Sequence, residues 1–102
     1  MESENETGVD ALEALRTVMD NNRDAVMAER LNATSKMVVD MAISIAHRST
    51  RKDGILRTVD AIRQLFKLVI AIDGADADRK LAEVMKELEE LKRVRGKTRT
   101  LQ

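Results

Sequence analysis

An all-α fold is predicted for this chain on three observations. Apolar residues recur at steps of three and four along most of the 102 residues, no Pro interrupts them, and no alternating β-branched run bounded by turns occurs. The pattern predicts a central antiparallel helical hairpin, at about 25–48 and 51–73, organised around the apolar stretch from Leu31 to Ile72. An N-terminal helix is expected at about 9–20 and a C-terminal helix at about 77–95. Residues 1–8 form an expected disordered acidic leader, 9–95 a single helical domain, and 96–102 a flexible basic tail.

In the first helix Leu12, Leu15 and Met19 share one face. The polar patch Asp20–Asp24 then interrupts the pattern, but no Gly or Pro enforces a break, which favours a helix continuous with the next. Met27, Leu31, Thr34, Val38, Met41 and Ile45 step by 4, 3, 4, 3, 4, the seam of a coiled coil, and Val39, Ala42, Ile43 and Ala46 widen it. A helix apolar on most of its circumference is buried on several sides.

The turn His47–Gly54 is basic, and Thr50 with Asp53 matches the capping-box spacing ahead of the third helix. Ile55, Val59, Ile62, Phe66 and Val69 repeat the heptad step, and Asp73-Gly74 closes the helix. Asp76 is the expected N-cap of the last helix, with Asp78 favourable to its dipole. That helix has a narrow stripe of Leu81, Val84, Leu88 and Leu91, with opposite charges at i,i+4 in Arg79–Glu83, Lys86–Glu90 and Glu89–Arg93. The four Gly, at 8, 54, 74 and 96, are expected to act as punctuation.

Composition narrows the function classes. One Phe is the only aromatic residue, so the core is aliphatic and suits thin helix–helix seams, often between subunits. The absence of Cys excludes disulfides, thiolate metal sites and cysteine nucleophiles. The N-terminus is acidic, unlike a signal or transit peptide, and the apolar runs fall short of the ~20 residues a membrane span needs. The expected location is the cytoplasm. Formal net charge is zero, yet Glu2, Glu4, Glu6 and Asp10 lie at one end of the chain and Lys92, Arg93, Arg95, Lys97 and Arg99 at the other. A second basic group, Arg48, Arg51, Lys52 and Arg57, surrounds the central turn.

No catalytic constellation is legible. His47 is the only histidine; Ala46-His47 before a basic turn is faintly similar to phosphotransfer helical bundles. Those carry a Lys three residues after the His and a Gly next to it, whereas Thr50 and Arg51 stand here, so His47 reads as a helix-end residue. Asp40 reads as part of a polar stripe with Lys36 and Ser44 rather than as a buried acid. Glu83, Glu87 and Glu90 are interleaved with cations, and Asp73–Asp78 lacks the spacing of a calcium loop. Asn32-Ala33-Thr34, a glycosylation pattern, falls inside a predicted helix. No phosphate-binding, dinucleotide-binding or zinc-protease motif occurs. No cofactor, metal or small-molecule substrate is expected, and the chain is not expected to be an enzyme.

What remains is a non-enzymatic helical assembly protein that forms homo-oligomers and binds a protein or nucleic-acid partner. Its expected oligomer interface is Leu31, Val38, Met41, Ile45, Ile55, Val59, Ile62, Phe66 and Val69, because this apolar surface exceeds what the narrow last helix can cover. The alternative is a nucleic-acid-binding protein, using Arg48, Arg51, Lys52, Arg57, Lys92, Arg93, Arg95, Lys97 and Arg99 on phosphates. Such a protein would be a small viral DNA-packaging subunit or a nucleoid-type factor; the packaging subunits are similar in architecture alone, as rings of helical hairpins with charged arms, so a viral origin enters only by analogy.

Overall fold

The computed structural model describes the backbone of residues 2–100 and the side chains of residues 11–74, 77 and 79–93. Four α-helices follow one another: α1 (Glu2–Met27), α2 (Ala33–Arg48), α3 (Ile55–Asp73) and α4 (Ala75–Thr100), with a 3₁₀ turn at Arg51–Asp53 between α2 and α3. The described residues are all-α and contain no strand. Met1, Leu101 and Gln102, parts of the expected leader and tail, lie outside them. α2 packs against α3, α3 against α4, and α1 against both α4 and α2. No helix among the described residues is long and apolar enough to cross a membrane.

The polar patch does not break α1. Ala11, Leu15, Met19 and Val26 are buried on one face, and Asn22 fills the gap in that row. Asn22 is itself buried because its Nδ2 donates to Val18 O at 2.8 Å and to Glu87 Oε2 of α4 at 3.5 Å. The chain breaks instead at 28–32. Asn32 is the N-cap of α2, accepting the Ser35 backbone N–H at 2.8 Å, while Leu31 tucks under the turn at 8% exposure. The expected helix at 25–48 therefore begins at Ala33, and the glycosylation-like triplet is a helix start.

The buried face of α2 is rotated from the expected seam. Ser35, Val38, Val39, Ala42, Ile43 and Ala46 are buried, whereas Thr34 and Met41 are exposed. Small side chains at Ser35, Ala42 and Ala46 admit close approach of the neighbouring helices, and the bulkier Met37 and Met41 turn outwards. On α3 the expected row holds: Val59, Ile62, Phe66 and Val69 are each at most 1% exposed, and Ile55 is half-buried.

The turns are built by two glycines. Thr50 donates its N–H to Asp53 Oδ2 at 3.0 Å, so the box closes the 3₁₀ turn; Gly54, with φ +80°, then starts α3. α3 therefore begins at Ile55 rather than at 51. Gly74, with φ +62°, ends it by donating its N–H to Ile70 O at 2.6 Å. α4 starts at Ala75, placing Asp76 inside its first turn instead of at the cap. Gly8 and Gly96 lie within α1 and α4, so only two of the four glycines punctuate.

Ala77, Leu81, Val84 and Leu88 of α4 are fully buried and join Leu15, Met19, Val26 and Phe66 in one core cluster. None of the three expected i,i+4 ion pairs forms. Lys80 pairs with Glu83 at 3.2 Å, and Glu89 reaches across to Arg63 of α3 at 2.8 Å.

Candidate functional site

Cross-helix contacts fix how the four helices stand beside one another. The start of α2 meets the end of α3, where Asp73 accepts from the Asn32 N–H at 3.3 Å and from the Ser35 hydroxyl. The end of α2 meets the start of α3, with Ser49 Oγ 3.1 Å from Thr58 Oγ1. At that same end Arg16 of α1 donates to Ser49 O at 2.6 Å and Ala46 O at 3.4 Å. His47 Nε2 lies 2.6 Å from Asp20 Oδ1, so the lone histidine is a cross-link to the polar patch of α1. Lys92 Nζ of α4 is 2.8 Å from Asp60 Oδ1 of α3.

These contacts lay the backbone of α4 beyond Lys92 alongside the α2–α3 turn that bears the first basic group. Arg48, Arg51, Lys52 and Arg57 are exposed around the α2–α3 turn, and none is in an ion pair among the described residues. The course of α4 beyond Lys92 carries Arg93, which is exposed, and the positions of Arg95, Lys97 and Arg99 past the same turn. The side chains of the last three lie outside the described residues. Lys92 differs from the rest, because its ammonium is engaged. Its hydrogen bond is the largest cause holding the Asp60 carboxyl below the usual aspartate range, assisted by its charge and by Arg63 and opposed by desolvation.

A hollow of about 370 Å³, open to solvent, lies at this end between Arg48, Arg57 and Asp53. Ile45 and Ala61 supply its apolar lining, and Ser49 and Thr58 its hydroxyls. Ser49 already donates to Ile45 O at 2.6 Å and Thr58 to Gly54 O at 3.1 Å, so neither hydroxyl is placed beside a base. The hollow can offer charge and apolar contact. Among the described residues no three His, Asp or Glu side chains converge as a metal site would require.

The expected oligomer interface divides. Leu31, Val38, Val59, Ile62, Phe66 and Val69 are buried by the chain's own helices, Ile45 and Ile55 are half-buried, and Met41 alone of the nine is exposed. The physical reason is that α1 is continuous and packs on α2 and α4, supplying cover that an interrupted helix could not. What stays exposed is Met37 at 68%, Met41 at 50%, Leu68 at 48% and Ile72 at 40%. Met37, Met41 and Ile45 follow one another by single turns of α2, and Ala61, Leu65, Leu68 and Ile72 step by 4, 3, 4 on α3. Ile45 and Ala61 meet in the hollow, so both rows flank the same α2–α3 seam and run from it along the outside of the bundle. This strip was hidden in the sequence because large apolar residues on an amphipathic helix read as core.

Comparison of the chain with protein-family models, with curated proteins and with solved structures returns no match.

Proposed function

We propose that this chain is a non-enzymatic, cytoplasmic assembly protein, in which an antiparallel α2–α3 hairpin associates with the same hairpin of a second copy. The observation that supports this reading is the exposed strip of Met37, Met41, Leu68 and Ile72. Contiguous apolar surface beside a polar rim marks interaction sites, and a two-fold pairing covers a strip with its own duplicate. Flexible Met side chains suit such a seam. Light scattering on size-exclusion eluates tests it. The expected mass is a multiple of 11.5 kDa, reverting to the monomer in a Met41→Glu, Leu68→Glu variant. A monomeric wild-type chain at micromolar concentration overturns the reading.

A second reading is supported by the convergence of the basic groups. Arg48, Arg51, Lys52 and Arg57 would contact the phosphates of a nucleic acid without reading its sequence, since no aromatic is available there to stack on bases. An oligonucleotide titration at two salt concentrations tests it. Affinity should fall steeply with salt and be lost when the four residues become Gln.

A further inference from the structure

The hollow between α2 and α3 has its polar floor already engaged and its cations still free. Ser49 and Thr58, 4% and 5% exposed, give their hydroxyl protons to Ile45 O and Gly54 O at 2.6 and 3.1 Å. Asp53 is held to the turn, its Oδ2 accepting from the Thr50 N–H at 3.0 Å and from the Thr50 hydroxyl at 3.2 Å. Arg48 closes α2 and Arg57 stands in the first turn of α3, and both line the hollow. Neither guanidinium is in an ion pair among the described residues, not even with Asp53. The lining thus carries two Arg against one Asp, a single net positive charge. Ile45 and Ala61 form the apolar wall, and one turn further from the arginines come Met41 and Leu65. From Arg48 to Met41 this track measures about 10 Å along α2.

We propose that this hollow is a binding site for a medium-chain carboxylate, its head group on Arg48 and Arg57 and its alkyl chain on Ile45 and Ala61, running towards Met41 and Leu65. A guanidinium takes a carboxylate through two parallel N–H bonds, in a geometry an ammonium does not offer. One net positive charge matches a monoanion, whereas Asp53 repels the second charge of a phosphate dianion. Both floor hydroxyls are already engaged, so orientation comes from charge at one end and apolar surface at the other. The volume of about 370 Å³ falls at the small end of the range for small-molecule sites. This inference rests on neither reading above: it uses two of the four turn cations, and it gives Ile45 and Ala61 a role that phosphate contact does not require.

NMR titration of the full-length chain tests it, following the methyl groups of Ile45 and Ala61, with those of the buried Val84 as a reference for folding. The probes are octanoate, acetate as the head alone and octanol as the tail alone. Octanoate should shift Ile45 and Ala61 saturably, with a Kd of about 1 mM, and the other two should bind at least about tenfold more weakly. In R48Q/R57Q octanoate should bind about tenfold more weakly. In R51Q/K52Q, which removes as much charge from the same turn but outside the hollow, the loss should be at most about twofold. Equal losses in the two variants overturn the site, since they report general charge. Octanoate binding that survives R48Q/R57Q overturns it as well, as does acetate or octanol binding as tightly as octanoate. Absence of shifts at roughly ten times the expected Kd also overturns it. An oligonucleotide titration of the same variants keeps the nucleic-acid reading separate, because that reading expects comparable losses in both.

Discussion

Lys92 Nζ and Asp60 Oδ1 are 2.8 Å apart, and this pair marks where α4 stands along α3. Arg63 joins it, 3.3 Å from Asp60 and 2.8 Å from Glu89, so two cations and two carboxylates alternate across the α3–α4 seam. Arg63 is the most enclosed of the four, its side chain 17% exposed. A shift of α4 by one turn would break both bonds that cross the seam, Lys92–Asp60 and Glu89–Arg63, and leave only Arg63–Asp60 within α3. The position of the basic end relative to the α2–α3 turn follows from this register.

The pair predicts an acid-sensitive contribution to stability. The Asp60 carboxyl titrates below the usual aspartate value of about 3.9, chiefly because of the Lys92 hydrogen bond. In the unfolded chain it ionises at the usual value, so its stabilisation is complete above that pH and lost as pH falls through the lower folded value. Both partners are more than a third exposed, so solvent screening holds the effect to about 0.5 kcal/mol. Urea unfolding measured between pH 6 and pH 2.5 should show a smaller acid loss in Asp60→Asn than in wild type. An identical pH dependence would show that Asp60 does not couple to folding.

Arg16 predicts a larger effect from a single side chain. Its guanidinium donates to the carbonyls of Ala46 and Ser49, which the end of α2 leaves without helical partners. Arg16→Ala should cost about 1–2 kcal/mol, by removing charge-assisted bonds from a helix C-terminus. Arg16→Lys should recover part of this, because an ammonium keeps the charge but cannot span both carbonyls in the same plane. Chemical denaturation of both variants measures the difference.

Gly74 separates backbone strain from crowding. Its φ of +62° and ψ of −130° lie where side-chain-bearing residues are strained, yet an added Cβ would meet nothing within 4 Å. Gly74→Ala should therefore destabilise by about 1–2 kcal/mol with no compensating repacking available. Gly96→Ala, inside α4, should change stability in the opposite direction, since Ala is the better helix residue by about 1 kcal/mol. Equal effects at the two sites, read from thermal melts, would contradict the turn geometry.

Much of the fold was legible locally. The α3 row from Val59 to Val69, the α4 row from Leu81 to Leu88 and the stop at Gly74 each follow from residue spacing and backbone freedom. The extent of α1 was only half legible: the absence of Gly and Pro in Asp20–Asp24 favoured continuity through the patch, but the expected bounds of about 9–20 fell short of Glu2–Met27 and the helix does not run on into the next. The break at Asn32 was missed, although an Asn ahead of Ala-Thr-Ser is a recognisable cap. Heptad spacing ran straight across it, and hydrophobic period alone cannot see a cap. The face of α2 was missed for a different reason. Its interior is set by small residues, and a search for large apolar side chains selects Met41 over Ala42.

Sequence by itself determined that this chain is helical, where α2 and α3 stop, and that it carries two basic groups and one acidic segment. These depend on interactions within a few residues: caps, i to i+4 spacing and the freedom of glycine. Only the tertiary structure decided what those groups face. Burial of Val59, Ile62, Phe66 and Val69 among α2, α4 and α1 put most of the expected interface inside the chain's own core and left Met37, Met41, Leu68 and Ile72 outside. The register between helices, marked by contacts such as Asn22–Glu87 and Asp60–Lys92, decided which part of α4 runs beside the start of α3. Contacts between residues so far apart in the chain depend on which helix covers which, a property of the packed core that no local pattern encodes.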